Sequence, residues 1–253
     1  MPILRERVGD HVVVVTIENP ARRNALGEAE FRGLALAWDE LARDRRVRAV
    51  VVRGAGEEAF CSGADLSAGL AGLPDIDALI DAALLKTAFF PKPLVAAVGG
   101  ACVAGGLELA LSCDIRVIAA NARLGLPEVR WGILPSGGAA MKLLDMIGAS
   151  DAMRMLLVGE LVDGTGAAAM GLGSVAADAA ATHAEALRLA GLIAQASPVA
   201  VQAAKRAAFE ARCKAYAARE ADERRLVAEV RASGHMRIGI EAFLARREPR
   251  YPD

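Results

Sequence analysis

The chain has 253 residues, of which 54% are hydrophobic, and a formal net charge of −1. That length suits one large domain, or a domain with an appendage, and leaves ample apolar material for a core. The charge balance argues against nucleic acid as a partner, because such affinity rests largely on Lys and Arg neutralising phosphates.

No run approaches the roughly 18 consecutive apolar residues of a spanning helix. The segment from Met1 to Arg7 turns charged at once and lacks the apolar stretch of a signal peptide. The expectation is a cytoplasmic protein without membrane contact.

Val12 to Ile17 is short, apolar and β-branched, which predicts a buried strand ended by the turn at Asn19-Pro20. Leu26 to Arg45 predicts an amphipathic helix, and Val47 to Arg53 a second strand. A glycine-containing loop, Phe60 to Leu66, follows; Asp75 to Ala88 has a helical pattern with Asp75 as its cap. Leu94 to Val98 is another buried strand, stopped by Gly99-Gly100, and Gly105-Gly106 opens a helix through Leu111. Asp114 to Ala119 is a strand, and Leu124 to Pro135 a loop with short extended pieces. Gly138 to Ile147 and Ser150 to Leu157 are helical in pattern. This alternation, up to about residue 177, predicts an α/β core. From Thr182 to Arg247 the pattern is almost wholly helical, with breaks expected at Ser197-Pro198, around Cys213 to Tyr216, and at Ser233-Gly234. Such an appendage needs the core or another subunit to cover its apolar stripe.

The four cysteines, Cys61, Cys102, Cys113 and Cys213, have mostly apolar flanks and no Cys-x-x-Cys spacing, so they read as small buried hydrophobes in a reducing compartment. The three histidines, His11, His183 and His235, form no metal-ligand spacing. A Gly-x-Ser-x-Gly elbow is absent. The first strand runs into Asn19-Pro20 rather than a Gly-x-Gly-x-x-Gly turn, and Tyr216 has Glu220 four places on, which sets aside a dinucleotide-dependent dehydrogenase.

Two glutamates stand out. Glu108 lies within Ala104-Gly105-Gly106-Leu107-Glu108-Leu109-Ala110-Leu111, and Glu128 within Leu124-Gly125-Leu126-Pro127-Glu128-Val129. A carboxylate in such surroundings needs a partner or a purpose. One reading makes them turn caps or partners of Arg123 or Arg130; the other makes them acid–base groups. Gly105-Gly106 opens a helix, where free N–H groups favour negative charge. With the Gly63-Ala64-Asp65 turn it could supply two converging N–H donors, an oxyanion hole.

In this order and spacing the segments resemble the enoyl-CoA hydratase/isomerase (crotonase) family over nearly the whole chain. Asn19-Pro20 with Arg23-Asn24-Ala25-Leu26, then Phe60 to Leu66, are similar to its first motif and its oxyanion and CoA-adenine loop. Lys92 to Val98 through Gly105 to Ala110, with Asp114 after it, resembles the central motif; Pro127-Glu128 and Gly132-Ile133-Leu134-Pro135 resemble the third. Three departures occur. The glycine pair Gly137-Gly138 comes one place early, only two glycines precede Leu107, and His235 and Ile238 stand where acidic residues are usual.

The resemblance implies an α/β spiral of ββα units over residues 1–190 and a helical oligomerisation region over 191–253. It implies catalytic glutamates at Glu108 and Glu128, and oxyanion-hole N–H groups at Ala64 and Gly105. Coenzyme A would lie along Ala64, Asp65, Leu66, Ser67 and Gly105, with Arg22 or Arg23 at its phosphates. The implied activity is hydration of a 2-enoyl-CoA by homotrimers or hexamers, with coenzyme A as part of the substrate and no metal or other cofactor. Isomerisation, thioester hydrolysis and non-catalytic CoA-ester binding are alternatives on the same scaffold.

Overall fold

The computed structural model describes residues 2–252. Among them the strands are β1 (Ile3–Val8), β2 (Val12–Ile17), β3 (Ala49–Gly54), β4 (Ala59–Cys61), β5 (Leu94–Val98), β6 (Ala101–Val103), β7 (Ile115–Ala119), β8 (Arg123–Gly125), β9 (Leu161–Asp163) and β10 (Ser174–Ala176). The helices are α1 (Glu28–Arg43), α2 (Ile76–Ala83), α3 (Gly105–Ser112), α4 (Ala139–Met146), α5 (Ala149–Met153), α6 (Gly164–Ala169), α7 (Ala179–Gln195), α8 (Pro198–Ala232) and α9 (His235–Leu244).

Two sheets result. The larger has the order β1-β2-β3-β5-β7-β10, and the smaller β4-β6-β8-β9. Only the outer pairs β1/β2 and β8/β9 are antiparallel. The strand pairs β3–β4, β5–β6 and β7–β8 each put their first strand in the large sheet and their second in the small one. Helices α2 and α3 follow the first two pairs, so the chain advances as the expected spiral of ββα units. Parallel strands covered on both faces tend to be continuous apolar runs, and Val12 to Val15 are all buried. Val13, Val15, Val50 and Val52 face the main core with Phe60, Cys61, Cys102 and Leu124 of the smaller sheet. Val12, Val14, Val51 and Val95 face α7, where Ala186, Ala190 and Ala194 line the contact. Alanine every fourth residue gives α7 one smooth face on the sheet.

The Asp114 carboxylate ties the core to α8. Its Oδ2 accepts from the Leu94 N–H and from Lys205 Nζ, each at 2.7 Å. Tyr216, buried in mid-helix, donates to Asp145 Oδ2 at 2.5 Å. The break expected around Cys213 to Tyr216 is therefore corrected: α8 runs unbroken from Pro198 to Ala232. Residues 213–216 include neither Gly nor Pro, and tertiary anchoring of Tyr216 offsets its poor helix propensity. The breaks at Ser197-Pro198 and Ser233-Gly234 are present, the second through Gly234 at φ +77°. Residue 190, the expected end of the spiral, lies inside α7. The helix expected to reach Ala88 stops at Ala83, and Leu85 takes φ +50°. β1 was not anticipated. Its residues Arg5, Glu6 and Arg7 are exposed, as suits an edge strand guarded by charge. No described helix is long and apolar enough to cross a membrane.

Candidate active site

The site lies where the smaller sheet hands the chain to α3. After β4, Gly63 adopts φ +86°, which a side chain would strain; a methyl there would also lie 3.1 Å from the Gly105 nitrogen. Leu26 N–H donates to the Gly63 carbonyl at 2.8 Å, and Asp65 N–H to the Leu26 carbonyl at 2.9 Å. This parallel bridge turns the Ala64 N–H away from Leu26. On the other side Ala104, with φ +53° and ψ −131°, swings the chain into α3. A non-glycine residue there stores strain of order 1–3 kcal/mol, a recurrent feature of functional sites. Gly106 lets α3 approach β4 closely, since a methyl on it would collide with the Cys61 carbonyl. A Cβ built on Gly105 would lie 3.8 Å from the Ala64 nitrogen, so the two expected donors are neighbours.

Glu108 sits in the first turn of α3 and is 4% exposed. Its Oε1 accepts from the N–H of Gly137 at 2.6 Å and of Ala139 at 3.2 Å, both at the start of α4. A Cβ on Gly137 would lie 2.5 Å from Glu108 Oε2, so a side chain there would push the carboxylate from its place. Burial pushes the Glu108 carboxyl up to about 7, against the two N–H donors and the positive charge of Lys142.

Glu128 rides on the 3-10 turn Pro127–Trp131 and is 8% exposed. α9 braces that turn: Trp131 and Phe243 meet edge to face at 5.1 Å. Glu128 Oε2 is buried without a hydrogen-bond partner among the described residues. Burial, and secondarily the charge of Glu108, hold its carboxyl well above the ordinary range. Neither glutamate pairs with Arg123 or Arg130; Arg130 instead donates to the Val158 carbonyl at 3.0 Å. The structure thus brings the two expected carboxylates into one electrostatic site and gives them unlike surroundings.

The residues expected along coenzyme A gather on the outer side of the same loop. Arg22 lies 2.6 Å from Asp65 Oδ2 and donates to Ser67 Oγ at 2.6 Å. The Asp65 carboxylate also accepts from the Ser67 N–H at 2.9 Å and from its hydroxyl at 2.7 Å. Arg23 is exposed, at φ +53°, and its carbonyl accepts from the Ser62 N–H. Leu66 is half-buried beside them.

Sequence reasoning did not find the groups that hold Glu108. Gly137 and Ala139 act through backbone N–H, which leaves no side-chain signal. Lys142 is buried although charged, and among Met141, Leu143 and Leu144 it reads as a solvent-facing helix position. His11, with Nδ1 2.8 Å from the Arg46 carbonyl, lies away from this site, and His183 has an unpartnered Nδ1. Among the described residues no cluster of three potential metal ligands occurs. Cys61 and Cys113 are buried, and burial pushes both thiols up to about 12; Cys213 is half-buried.

The chain thus folds as a spiral of ββα units that carries two neighbouring backbone N–H groups and two buried carboxylates. Residues 7–253 match the family model described as enoyl-CoA hydratase/isomerase. The chain belongs to the enoyl-CoA hydratase/isomerase family. It is 36% identical to enoyl-CoA hydratase EchA19 of Mycobacterium tuberculosis, over 98% of this chain and 95% of that one. It is 37% identical to the 2,3-dehydroadipyl-CoA hydratase of Escherichia coli, over 94% of each. The crystal structure of carnitinyl-CoA hydratase from Mycobacterium avium superposes with a TM-score of 0.92 at 32% identity, covering 99% of this chain and 98% of that one.

The two carboxylates make stability depend on pH. An unfolded glutamate titrates at 4.5 and the folded Glu108 at about 7. Between those values the folded state holds more protons, so this contribution is full below 4.5 and is lost as pH rises through 7. Tm is expected to fall between about pH 5 and 8, and Glu128→Gln, which stays neutral, is expected to flatten the fall and raise Tm at high pH. Calorimetry across that range checks it, and an unchanged slope in the variant would count against buried, proton-holding carboxylates.

Proposed function

We propose that the protein is an enoyl-CoA hydratase that adds water across the 2,3 double bond of an acyl-CoA thioester. The observation that carries this reading is the unlike setting of two neighbouring buried carboxylates beside a pair of N–H donors. Glu108 has two N–H donors and a nearby cation, which favour its anion. Glu128 has only its own backbone N–H in that role and no cation, and its Oε2 is unpartnered, which favours its acid form. Two carboxyl groups pushed apart by environment divide acid and base work.

Glu108 accordingly takes a proton from water while the water oxygen bonds to C3. Electron density moves through C2 onto the thioester oxygen. The N–H groups of Ala64 and Gly105 meet that developing charge, each such donor being worth roughly 3–4 kcal/mol in comparable sites. Glu128 delivers its proton to C2. One water is consumed, and the two carboxyl groups end with exchanged protonation states, which a return of the proton resets. The chemistry calls on no group beyond these. Relatives named for dehydroadipyl-CoA, methylglutaconyl-CoA and benzylidenesuccinyl-CoA hydratase activity support hydration and leave the acyl group open.

The loop holding Ala64, Asp65, Leu66 and Ser67, with Gly105 at its edge, is the proposed seat of the CoA handle. Arg22, fixed by Asp65 and Ser67, is the better placed of the two arginines to meet phosphate, since a held cation offers charge-assisted bonds. The helical region 191–253 is the proposed assembly surface for trimers or hexamers. In α8 only Tyr216, Glu223 and Val227 are buried, while Val199 and Leu226 stay exposed.

Glu108→Gln and Glu128→Gln are each expected to lower kcat for crotonyl-CoA hydration by about 10²-fold or more, with KM little changed. The double variant should lose less than the product of the two, because both act on one addition. Near-normal hydration by folded Glu128→Gln would sink the two-carboxylate mechanism. Loss at one glutamate alone, with double-bond migration retained, would mark an isomerase. Arg22→Ala is expected to raise KM for CoA esters several-fold and leave kcat near normal; an unchanged KM would remove Arg22 from the handle. Light scattering at micromolar concentration is expected to report a trimer or hexamer, and a monodisperse monomer would overturn the assembly proposal.

A further inference from the structure

We propose that Lys142 is a positioning residue for Glu108, holding its carboxylate as the anion that accepts the proton from water. The proposal rests on the reading of Glu108 as the base.

Lys142 lies on α4, one turn beyond Ala139, whose N–H is one of the two that hold Glu108. Its side chain is buried. Nζ donates to the Leu85 carbonyl at 3.2 Å and to Ser112 Oγ at 2.7 Å. The Ser112 hydroxyl in turn lies 3.0 Å from the Glu108 carbonyl, one turn earlier on α3. Gly137 and Gly138 are consecutive, and they face opposite partners. A Cβ on Gly137 would touch the Glu108 carboxylate, and one on Gly138 would lie 3.6 Å from Lys142 Nζ. Anion and cation therefore flank one turn of backbone.

Among the described residues no carboxylate lies within 4.0 Å of Lys142 Nζ, so its charge is uncancelled by an ion pair. Burial disfavours the charged form of an ammonium so placed. The neighbouring charges do not supply its role. Lys86, from the segment after α2, is neutralised by Glu223 of α8 at 2.5 Å and Asp81 of α2 at 3.4 Å. Cys113 after α3 and Cys213 on α8 face Lys142, and burial keeps both as neutral thiols. Glu223 also bears on Glu108 and raises its carboxyl, opposing Lys142, while Glu128, whose own carboxyl is raised by Glu108, is held as an acid. Lys142 is thus the free positive charge opposite Glu108, and burial lowers its own pKa to about 8, still protonated at neutral pH.

An opposite charge nearby shifts a carboxyl by about one unit or more toward its ionised form. Removing it should move Glu108 the other way. The test is the pH profile of kcat/KM for crotonyl-CoA, which reports groups of the free enzyme. In Lys142→Met the acid limb is expected to move up by about one pH unit, so that activity near pH 6 falls about tenfold and converges on wild type near pH 9. Lys142→Arg, which keeps the charge, should return the limb toward its original position. A folded Lys142→Met with lowered Tm but an unmoved acid limb would mean that Lys142 only packs, and the proposal would be wrong. If the Met variant does not fold, Lys142→Gln keeps donor groups without the charge and is judged by the same limb. Wild-type protein without hydration, or an active Glu108→Gln, overturns the reading of Glu108 itself. An inactive Glu108→Gln beside an unmoved Lys142→Met limb overturns the role of Lys142 alone.

Discussion

The close approach of α3 to the end of β4 is the constraint on which the active centre depends. Gly106 lies where any side chain would strike the Cys61 carbonyl, and Gly63 turns through φ +86° directly against Gly105. Backbone can come this near to backbone only where glycine leaves room. The approach sets the Ala64 and Gly105 N–H groups near one another, at the first turn of a helix whose leading N–H groups have no partner within the helix. The rest of the molecule keeps that distance fixed. The smaller sheet joins β4, β6 and β8 in parallel register, and the larger sheet anchors the strand that precedes each of them.

Electrostatics then separates two residues of the same type. Glu108 and Glu128 are both buried, and burial raises both carboxyl groups. The difference lies in what surrounds them. The start of α4 offers Glu108 two N–H groups and, one turn on, Lys142. The turn bearing Glu128 offers only that residue's own N–H and no cation, and is braced from behind by α9 through Trp131 and Phe243. On the proposed reading, burial that would be a liability in an inert core keeps one proton in place and leaves the other group ready to receive one.

Parts of this were legible in the chain. The apolar runs at Val12 to Ile17, β-branched, and Leu94 to Val98 declare buried strands, since a strand covered on both faces tends to such continuous apolarity. Glu108 and Glu128 declare themselves as carboxylates in apolar company. β1 did not, because an edge strand with Arg5, Glu6 and Arg7 outward shows no apolar alternation. The three-residue strands β4, β6 and β8 are too short for a period to register. Tyr216, inside the unbroken α8, is anchored by Asp145, 71 residues away.

What the sequence determined by itself was the inventory: the alternating α/β elements, the two glycine-bearing turns and the two glutamates, each set by local chemistry that neighbouring residues reveal. What only the tertiary structure decided was the division of labour. Whether a buried glutamate keeps or releases its proton depends on groups brought to it across space. Gly137, Ala139 and Lys142 reach Glu108 from about 30 positions along the chain, and two of the three do so through backbone N–H groups that every residue but proline has.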